Sequence, residues 1–261
     1  MAMDNNSLVN LVAAYTPLLE LKSPRDQRVL DAMRRVDRKM FIPSLREVLA
    51  TVADQPFLRE TFRAQYDFHI SDDPSLEFPD EIVYHNGAIP IGYNQTCSQP
   101  SVVAFMADLL EIKEGMNILE VGTGCGYNAA ILTKLVGPTG HVTSVERIAE
   151  LAALAQRNLE AHFGPHYQEN VSVILADGSM GQTERAPYDA IILTAGIESR
   201  SFDFSTLLEQ VPTGIFLYPE HRGPITRDIY QESHLKKRET FGNFGFVPLQ
   251  KGAVNSHDSC R

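Results

Sequence analysis

The chain has 261 residues, 43% of them hydrophobic and 21% charged, and a formal net charge of −10. That suits one large α/β domain with room for an extra element. The acidic balance argues against a nucleic-acid reader, which normally carries a basic face, and no stretch reaches the about 18 apolar residues that span a bilayer.

Three cysteines, Cys97, Cys125 and Cys260, lie far apart with no C-x-x-C pair. Neither a zinc site nor a disulfide framework is indicated, so no metal is expected. A reducing, cytoplasmic location is the default. The first residues, Met1 to Asn6, are polar and lack the cationic and apolar segments of a signal peptide.

In chain order, residues 7–20 predict a short amphipathic helix interrupted by Pro17. Ser23-Pro24 is a helix-start signal. The helix that follows carries Val29, Leu30, Met33 and Val36 at helical spacing and ends before Phe41-Ile42-Pro43. Residues 44–82 read as an insertion, helical from Ser44 to Ala64 and then acidic and turn-rich. It is either a lid or partner-docking surface or a solvated excursion without a role. Tyr84 to Pro100, with Gly87, Gly92, Pro90 and Pro100, reads as a shaped loop rather than an element. Within it Thr96 and Ser98 are alternate residues, whose hydroxyls face one way in an extended segment. The loop is a candidate substrate site or a hydroxyl-rich cap on the helix that begins at Ser101. That helix buries Val102, Val103, Phe105, Met106, Leu109 and Leu110, and its first turn can hold an anion.

Asn117 to Val121 is an apolar strand running into Gly122, Gly124 and Gly126, and a helix with Ala129, Ala130, Ile131, Leu132 and Leu135 follows. Glycines at every second position have no packing use in a strand; they allow φ > 0 and close approach of a ligand. Glu146, 20 residues past Gly126, ends a second strand from His141. An acidic residue there is placed for the ribose hydroxyls of a nucleotide-type cofactor. A helix from Ile148 to Phe163, a strand from Val171 to Ala176 ending at Asp177-Gly178, and a strand from Ala190 to Leu193 ending at Thr194 come next. A helix near Ser205 to Gln210, a strand from Ile215 to Tyr218 and a last strand from Phe244 to Leu249 complete the order. Lys236-Lys237-Arg238 reads as a solvated loop or helix face. Alternating strands and helices, with nearly continuous apolar strands, predict an α/β fold: a Rossmann-like, doubly wound, mostly parallel sheet with an N-terminal helical extension.

The glycine run lacks the third glycine of G-x-G-x-x-G; Ala129 stands near that place, and no Gly-Lys-Ser/Thr phosphate loop occurs. The first half of the pattern alone also suits a nicotinamide enzyme. The Asp-Gly strand end, the Thr-x-Ser loop and the lack of a placed His or Tyr tilt away from it; His85 and His221 read as surface histidines. The pattern from Glu120 through Gly126 resembles class I S-adenosylmethionine-dependent methyltransferases. That cofactor has a ribose for Glu146, an adenine amino group for Asp177 and a sulfonium near the carboxylates of Glu120 and Glu146.

The resemblance then becomes specific. Val36 to Pro43, Ile89 to Gly92, Gln95 to Pro100, Leu119 to Tyr127, Asp177-Gly178 with Gly181, Ala186 to Ile191, and Phe246 to Leu249 occur in order over about residues 24–250, apart from 44–82. In these pieces the chain resembles protein-L-isoaspartate (D-aspartate) O-methyltransferases. The resemblance implies methylation of the α-carboxylate of isoaspartyl residues in damaged proteins or peptides. Repair follows through a succinimide, and S-adenosyl-L-homocysteine is the second product. That carboxylate, with a pKa of about 3.5–4, is ionised at neutral pH and needs no general base, so catalysis rests on positioning. The resemblance makes Ser98, with Thr96 beside it, the catalytic candidates. Cofactor contacts fall on Thr96, Cys97, Ser98, Gln99, Glu120, Gly122, Thr123, Gly124, Gly126, Glu146, Asp177, Gly178 and Thr194. Cys97 stands where the family usually has Ile, and Thr194-Ala-Gly196, Thr213-Gly214 and Pro219-Glu-His also depart from the pattern.

The expected division is N-terminal helices over 1–43, a lid-like insertion over 44–82, a methyltransferase domain over 83–250 and a loose tail over 251–261. A monomer without nucleic-acid or membrane partners is expected. Two rival readings are a methyltransferase dedicated to an Asp or isoAsp of one peptide, and a non-catalytic adaptor that keeps the cofactor pocket.

Overall fold

The structure is a computed structural model that describes residues 3–15, 27–52, 77–198 and 202–252. In chain order its α-helices are α1 (Asn5–Tyr15), α2 (Gln27–Arg35), α3 (Leu45–Ala50), α4 (Asp80–Val83), α5 (Pro100–Leu109), α6 (Tyr127–Val136), α7 (Ala149–Phe163) and α8 (Ser205–Glu209). Its strands are β1 (Ile89–Gly92), β2 (Gln95–Cys97), β3 (Asn117–Val121), β4 (His141–Glu146), β5 (Val171–Leu175), β6 (Ala190–Leu193), β7 (Gly214–Pro219), β8 (Arg222–Gln231) and β9 (His234–Gly245).

β3 to β9 form one seven-stranded sheet in the order β5-β4-β3-β6-β7-β8-β9. The first five strands in that order pair in parallel and the last two antiparallel. Side chains alternate across the parallel strands, so each strand feeds two cores. Ile118, Ala190, Ile192, Ile215 and Leu217 join the larger core with α1, α2, α5 and α6. Leu119, Val121, Ile191, Leu193 and Phe216 join a smaller one with Leu207 and Val211. Helices on both faces explain the unbroken apolar runs of these strands. The fold is therefore α/β, Rossmann-like and doubly wound, mostly parallel, with N-terminal helices added to the larger core. Among the described residues no helix is long and apolar enough to cross a membrane.

Four expectations need correction. Tyr84 to Pro100 is not a plain loop: β1 and β2 form an antiparallel hairpin. Its two-residue turn, Tyr93-Asn94, has φ of 54° and 56°, the twist that a tight hairpin needs. Tyr93 is an unusual residue for that conformation, which hides the turn from a sequence reading. The helix predicted to Ala64 ends at Ala50, closed by a Ser44–Glu47 capping box at its start; residues 53–76, like Ser23-Pro24, lie outside the described residues.

Lys236-Lys237-Arg238 is neither loop nor helix but part of β9, the outer strand of the β8–β9 hairpin. Arg238 donates from Nε and NH2 to the buried Asp228 at 2.7 and 2.6 Å. Most of β9 is exposed, so it lacks the apolar alternation that marks a half-buried strand. The strand expected over Phe244 to Leu249 is absent. β9 stops at Gly245, and the next residues run as an extended strap held to Gly196 by Gly196 N–H to Val247 O and Leu249 N–H to Gly196 O, both 2.7 Å.

Candidate active site

β3 is central, with β4 on one side and β6 on the other. Ligands of open α/β sheets bind beyond the carboxyl ends of strands at such a switch point. Here β3 runs into the glycine turn. Gly122, Gly124 and Gly126 have φ of 101°, 57° and 89°, values that suit glycine. A Cβ on Gly122 would collide with the Thr194 hydroxyl, which itself donates to Gly122 O at 2.6 Å. Gly126 serves a different need. A Cβ there would lie 3.3 Å from Ala155 Cβ, so this glycine lets α6 start against α7.

The turn opens onto a cavity of about 1020 Å³, its mouth included. Of the candidate residues, Thr96, Cys97, Ser98, Gly122, Thr123, Gly124, Glu146, Gly178 and Thr194 line it. Gln99, Glu120, Gly126 and Asp177 do not. Gln99 is the N-cap of α5, its side chain donating to Ser101 Oγ at 2.9 Å.

The three carboxylates differ in surroundings. Glu146, 5% exposed, accepts N–H groups of Gly124 at 2.8 Å, Arg147 at 2.9 Å and Ile148 at 3.0 Å. Burial pushes its carboxyl pKa up, and these bonds offset only part of that. Glu120 is fully buried behind the turn. It accepts from Asn128 Nδ2 at 2.7 Å and from Ser144 Oγ, which also contacts Thr123 Oγ1 at 2.6 Å. Burial raises its pKa to about 7. Glu120 thus braces the turn from below and does not face the cavity. Asp177 accepts Ser179 N–H at 2.9 Å and Gly252 N–H at 2.6 Å. Burial works against its ionisation, but these bonds outweigh it and hold the carboxyl below its ordinary range.

The opposite wall is the end of the β1–β2 hairpin. Thr96 is exposed, Ser98 half-buried and Cys97 4% exposed, yet all three reach the cavity. β2 stops at Cys97, so strict alternation ends before Ser98. What fixes this wall is Arg38, which is completely buried. Its NH1 donates to Val83 O at 3.0 Å and His85 O at 2.9 Å, and its NH2 to Gly87 O at 2.8 Å and Ser98 O at 3.1 Å. One guanidinium therefore gathers four carbonyls of the segment leading into the Thr-x-Ser loop. Sequence reasoning missed this role; an arginine between helices signals nothing until its partners are known.

It also missed the third wall. Phe246 to Gln250 line the cavity. Beyond them the chain is tied down by Arg147, which donates to Gln250 Oε1 at 3.0 Å and to Gly252 O at 2.9 Å. The residues at the start of the supposed loose tail are thus fixed; 253–261 lie outside the described residues.

The donor set suits S-adenosylmethionine. Hydroxyls, backbone N–H groups and the Glu146 carboxylate surround an otherwise apolar cavity with Val102, Met106, Ile148 and Leu249 in its walls. Among the described residues Arg147 is the one basic residue in its lining, and it is engaged with the strap. Such a lining accepts hydroxyls and a sulfonium better than a pyrophosphate. Among the described residues no group of three or more His, Cys, Asp or Glu is placed to hold a metal.

The chain matches the protein family described as protein-L-isoaspartate(D-aspartate) O-methyltransferase over residues 72–250. A protein-L-isoaspartate O-methyltransferase of Methanothrix thermoacetophila is 43% identical over 175 residues, covering 67% of this chain and 66% of that protein. One of Methanosarcina mazei is 37% identical over 231 residues, covering 86% and 77%. A solved protein-L-isoaspartate O-methyltransferase superposes with a TM-score of 0.70 at 23% identity, over 96% of this chain and 67% of that one. A Plasmodium falciparum relative solved with S-adenosyl-L-homocysteine superposes at 0.67 and 17% identity, over 95% and 99%. At those identities the structures speak for the fold alone. The chain spans just under two thirds of the length of the Methanothrix relative.

Proposed function

The chain belongs to the protein-L-isoaspartate (D-aspartate) O-methyltransferase family, and from that premise we propose that it methylates the α-carboxylate of isoaspartyl residues in damaged proteins and peptides. S-adenosylmethionine supplies a methyl group on a sulfonium and leaves as S-adenosyl-L-homocysteine. In this reading the protein is a cytoplasmic, monomeric repair enzyme. The ester closes to a succinimide, whose hydrolysis returns part of the residue to normal aspartate. The methyltransferase domain begins near residue 83, with 44–82 an insertion ahead of the substrate loop.

The observation that carries the proposal is convergence. The glycine turn, Glu146 and the Thr96–Ser98 loop come from separate parts of the chain and line one cavity. Glu146 would hold ribose hydroxyls, which its ionised form accepts well. Gly122, Thr123 and Gly124 offer backbone close to a ligand, and Gly178 must be glycine because a Cβ there would sit 2.5 Å from Val121 Cγ1. Asp177 and Glu120 act one layer out: Asp177 through the Gly252 strap, Glu120 through Asn128 and Ser144.

The substrate carboxylate is ionised near neutral pH, so the site has no proton to remove. Its tasks are to align the attacking oxygen and to exclude water. The Ser98 hydroxyl, presented at the cavity by a loop that Arg38 clamps, can donate to that carboxylate and fix which oxygen attacks. Thr96 lines the same mouth. The Phe246–Gln250 strap closes the apolar side against solvent.

Incubation with methyl-labelled S-adenosylmethionine and paired peptides containing isoaspartate or aspartate tests this. Base-labile label on the isoaspartyl peptide is the expected result. Labelling of neither peptide, despite measurable cofactor binding, would overturn the proposal in favour of a binding protein.

A further inference from the structure

Cys97 and Cys125 are 28 positions apart in sequence, and the fold brings them together. Both line the cavity at its junction of turn and loop. Both are free thiols, 4% and 2% exposed, and they lie close enough that each shifts the other's proton affinity. Their backbones are pinned from either side. Arg38 holds Ser98 O at 3.1 Å, and Asn158 Nδ2 donates to Cys125 O at 2.9 Å and to Phe41 O at 3.1 Å. The guanidinium of Arg38 also points NH2 at Cys97 Sγ, 3.9 Å away. Among the described residues no carboxylate lies within ion-pair distance of this buried cation, so a thiolate at Cys97 is the anion nearest to hand. The hydrogen bond from Cys125 lowers the Cys97 thiol pKa, burial opposes this and the Arg38 charge supports it, while the Cys125 thiol is pushed up. One sulfur is prepared as nucleophile and its neighbour keeps the proton.

We propose that Cys97 and Cys125 are a redox-modification site, which peroxide converts to a disulfide that shuts the cofactor cavity. The Cys97 thiolate attacks the peroxide O–O bond and, with a proton, forms a sulfenic acid and releases water. The Cys125 sulfur then attacks the Cys97 sulfur. The S–S bond forms, the S–O bond breaks, and the hydroxyl leaves as a second water with the Cys125 proton. Two thiols lose two electrons to one peroxide. A thiol reductant reverses the change by exchange. Oxidation ties the Thr96–Ser98 loop to the glycine turn in the wall of the cavity proposed above to hold the cofactor, drawing the two together, and the closing effect rests on that reading. Disulfides of intracellular proteins are commonly of this transient, sensing kind.

The test uses the full chain in a Cys260→Ser background, so that the third thiol cannot exchange. Hydrogen peroxide is titrated in, and the product is mapped by non-reducing mass spectrometry. Affinity for S-adenosyl-L-homocysteine is measured before oxidation, after it and after reduction. The expected result is a Cys97–Cys125 peptide pair lighter by two hydrogens, an affinity at least tenfold weaker, and full recovery with reductant. Saturating S-adenosyl-L-homocysteine should slow formation of the link at least tenfold. Cys97→Ile, compared with its own reduced form, should show no peroxide-dependent change in affinity. Persistence of both thiols, or stable oxygen adducts without a link, would overturn the modification site. A link that leaves affinity unchanged would overturn the closing role. Failure of the reduced protein to bind S-adenosyl-L-homocysteine would instead count against the function proposed above, and the mass map would still decide the link.

Discussion

The two principal walls of the cavity are built in opposite ways. The glycine-turn wall is local: β3, the turn and the start of α6 are consecutive, and its brace, Glu120 with Asn128 and Ser144, spans at most 24 positions. The wall of the Thr96–Ser98 loop is remote: Arg38 reaches Ser98 O across 60 positions. The strap that closes the site is more remote still, joined to Arg147 across 103 and 105. On the proposed function, cofactor recognition falls to one short stretch, whereas placement of the reacting carboxylate falls to contacts that exist only in the folded chain.

Removing the remote clamp should have the largest effect. Arg38→Leu leaves four carbonyls without their buried donor, at a cost on the order of 3–5 kcal/mol. In thermal unfolding that is a Tm about 10 °C lower. A variant that keeps the wild-type Tm would mean that the hairpin wall does not depend on Arg38.

The local wall can be probed by pH. Glu120 has an ordinary pKa of 4.5, raised by burial to about 7 in the folded protein. An acid raised on folding stabilises most below its unfolded value, and that contribution is lost as pH rises through the folded one. The difference is worth about 3 kcal/mol. Stability should therefore fall between about pH 4.5 and pH 7, and Glu120→Gln should flatten that slope. Glu146, raised for the same reason, keeps some of it. An unchanged slope in Glu120→Gln would show that the brace does not titrate in this range.

Gly122→Ala sharpens the cofactor side. At φ of 101° an alanine is strained by about 1–2 kcal/mol, and its methyl displaces the Thr194 hydroxyl. Affinity for S-adenosyl-L-homocysteine should weaken about tenfold or more by calorimetry. Retained affinity would remove the turn from the binding site.

The smallest effect is expected at the strap. Arg147→Ala removes two hydrogen bonds at a partly exposed site, about 1 kcal/mol. A roughly fivefold loss of affinity with unchanged Tm would place the strap in ligand closure; a loss of stability instead would make it a structural tie.

What could be read from the sequence follows the same division. The strand, the glycines and Glu146 announce themselves because strand, turn and helix each have a period or a residue requirement. The Tyr93-Asn94 turn, the exposed β9 and the 246–252 strap carry no such signature. The β8–β9 hairpin closes on Glu232-Ser233 with φ of 51° and 62°, residues that a sequence does not mark for left-handed backbone. Only family resemblance singles out Ser98, since nothing local separates it from a helix cap. Nothing in the sequence pairs Cys97 with Cys125, because their spacing matches no thiol motif.

On the proposed function the remote wall, through Ser98, serves the transfer step, while the local wall serves cofactor binding. Turnover of an isoaspartyl peptide by Ser98→Ala, measured beside its dissociation constant for S-adenosyl-L-homocysteine, tests this directly. Turnover should fall by about 10²-fold, the scale of a lost hydrogen bond aimed at reacting oxygens, with the dissociation constant within about twofold of wild type. Wild-type turnover, or a loss of cofactor affinity that accounts for the whole decrease, would contradict it.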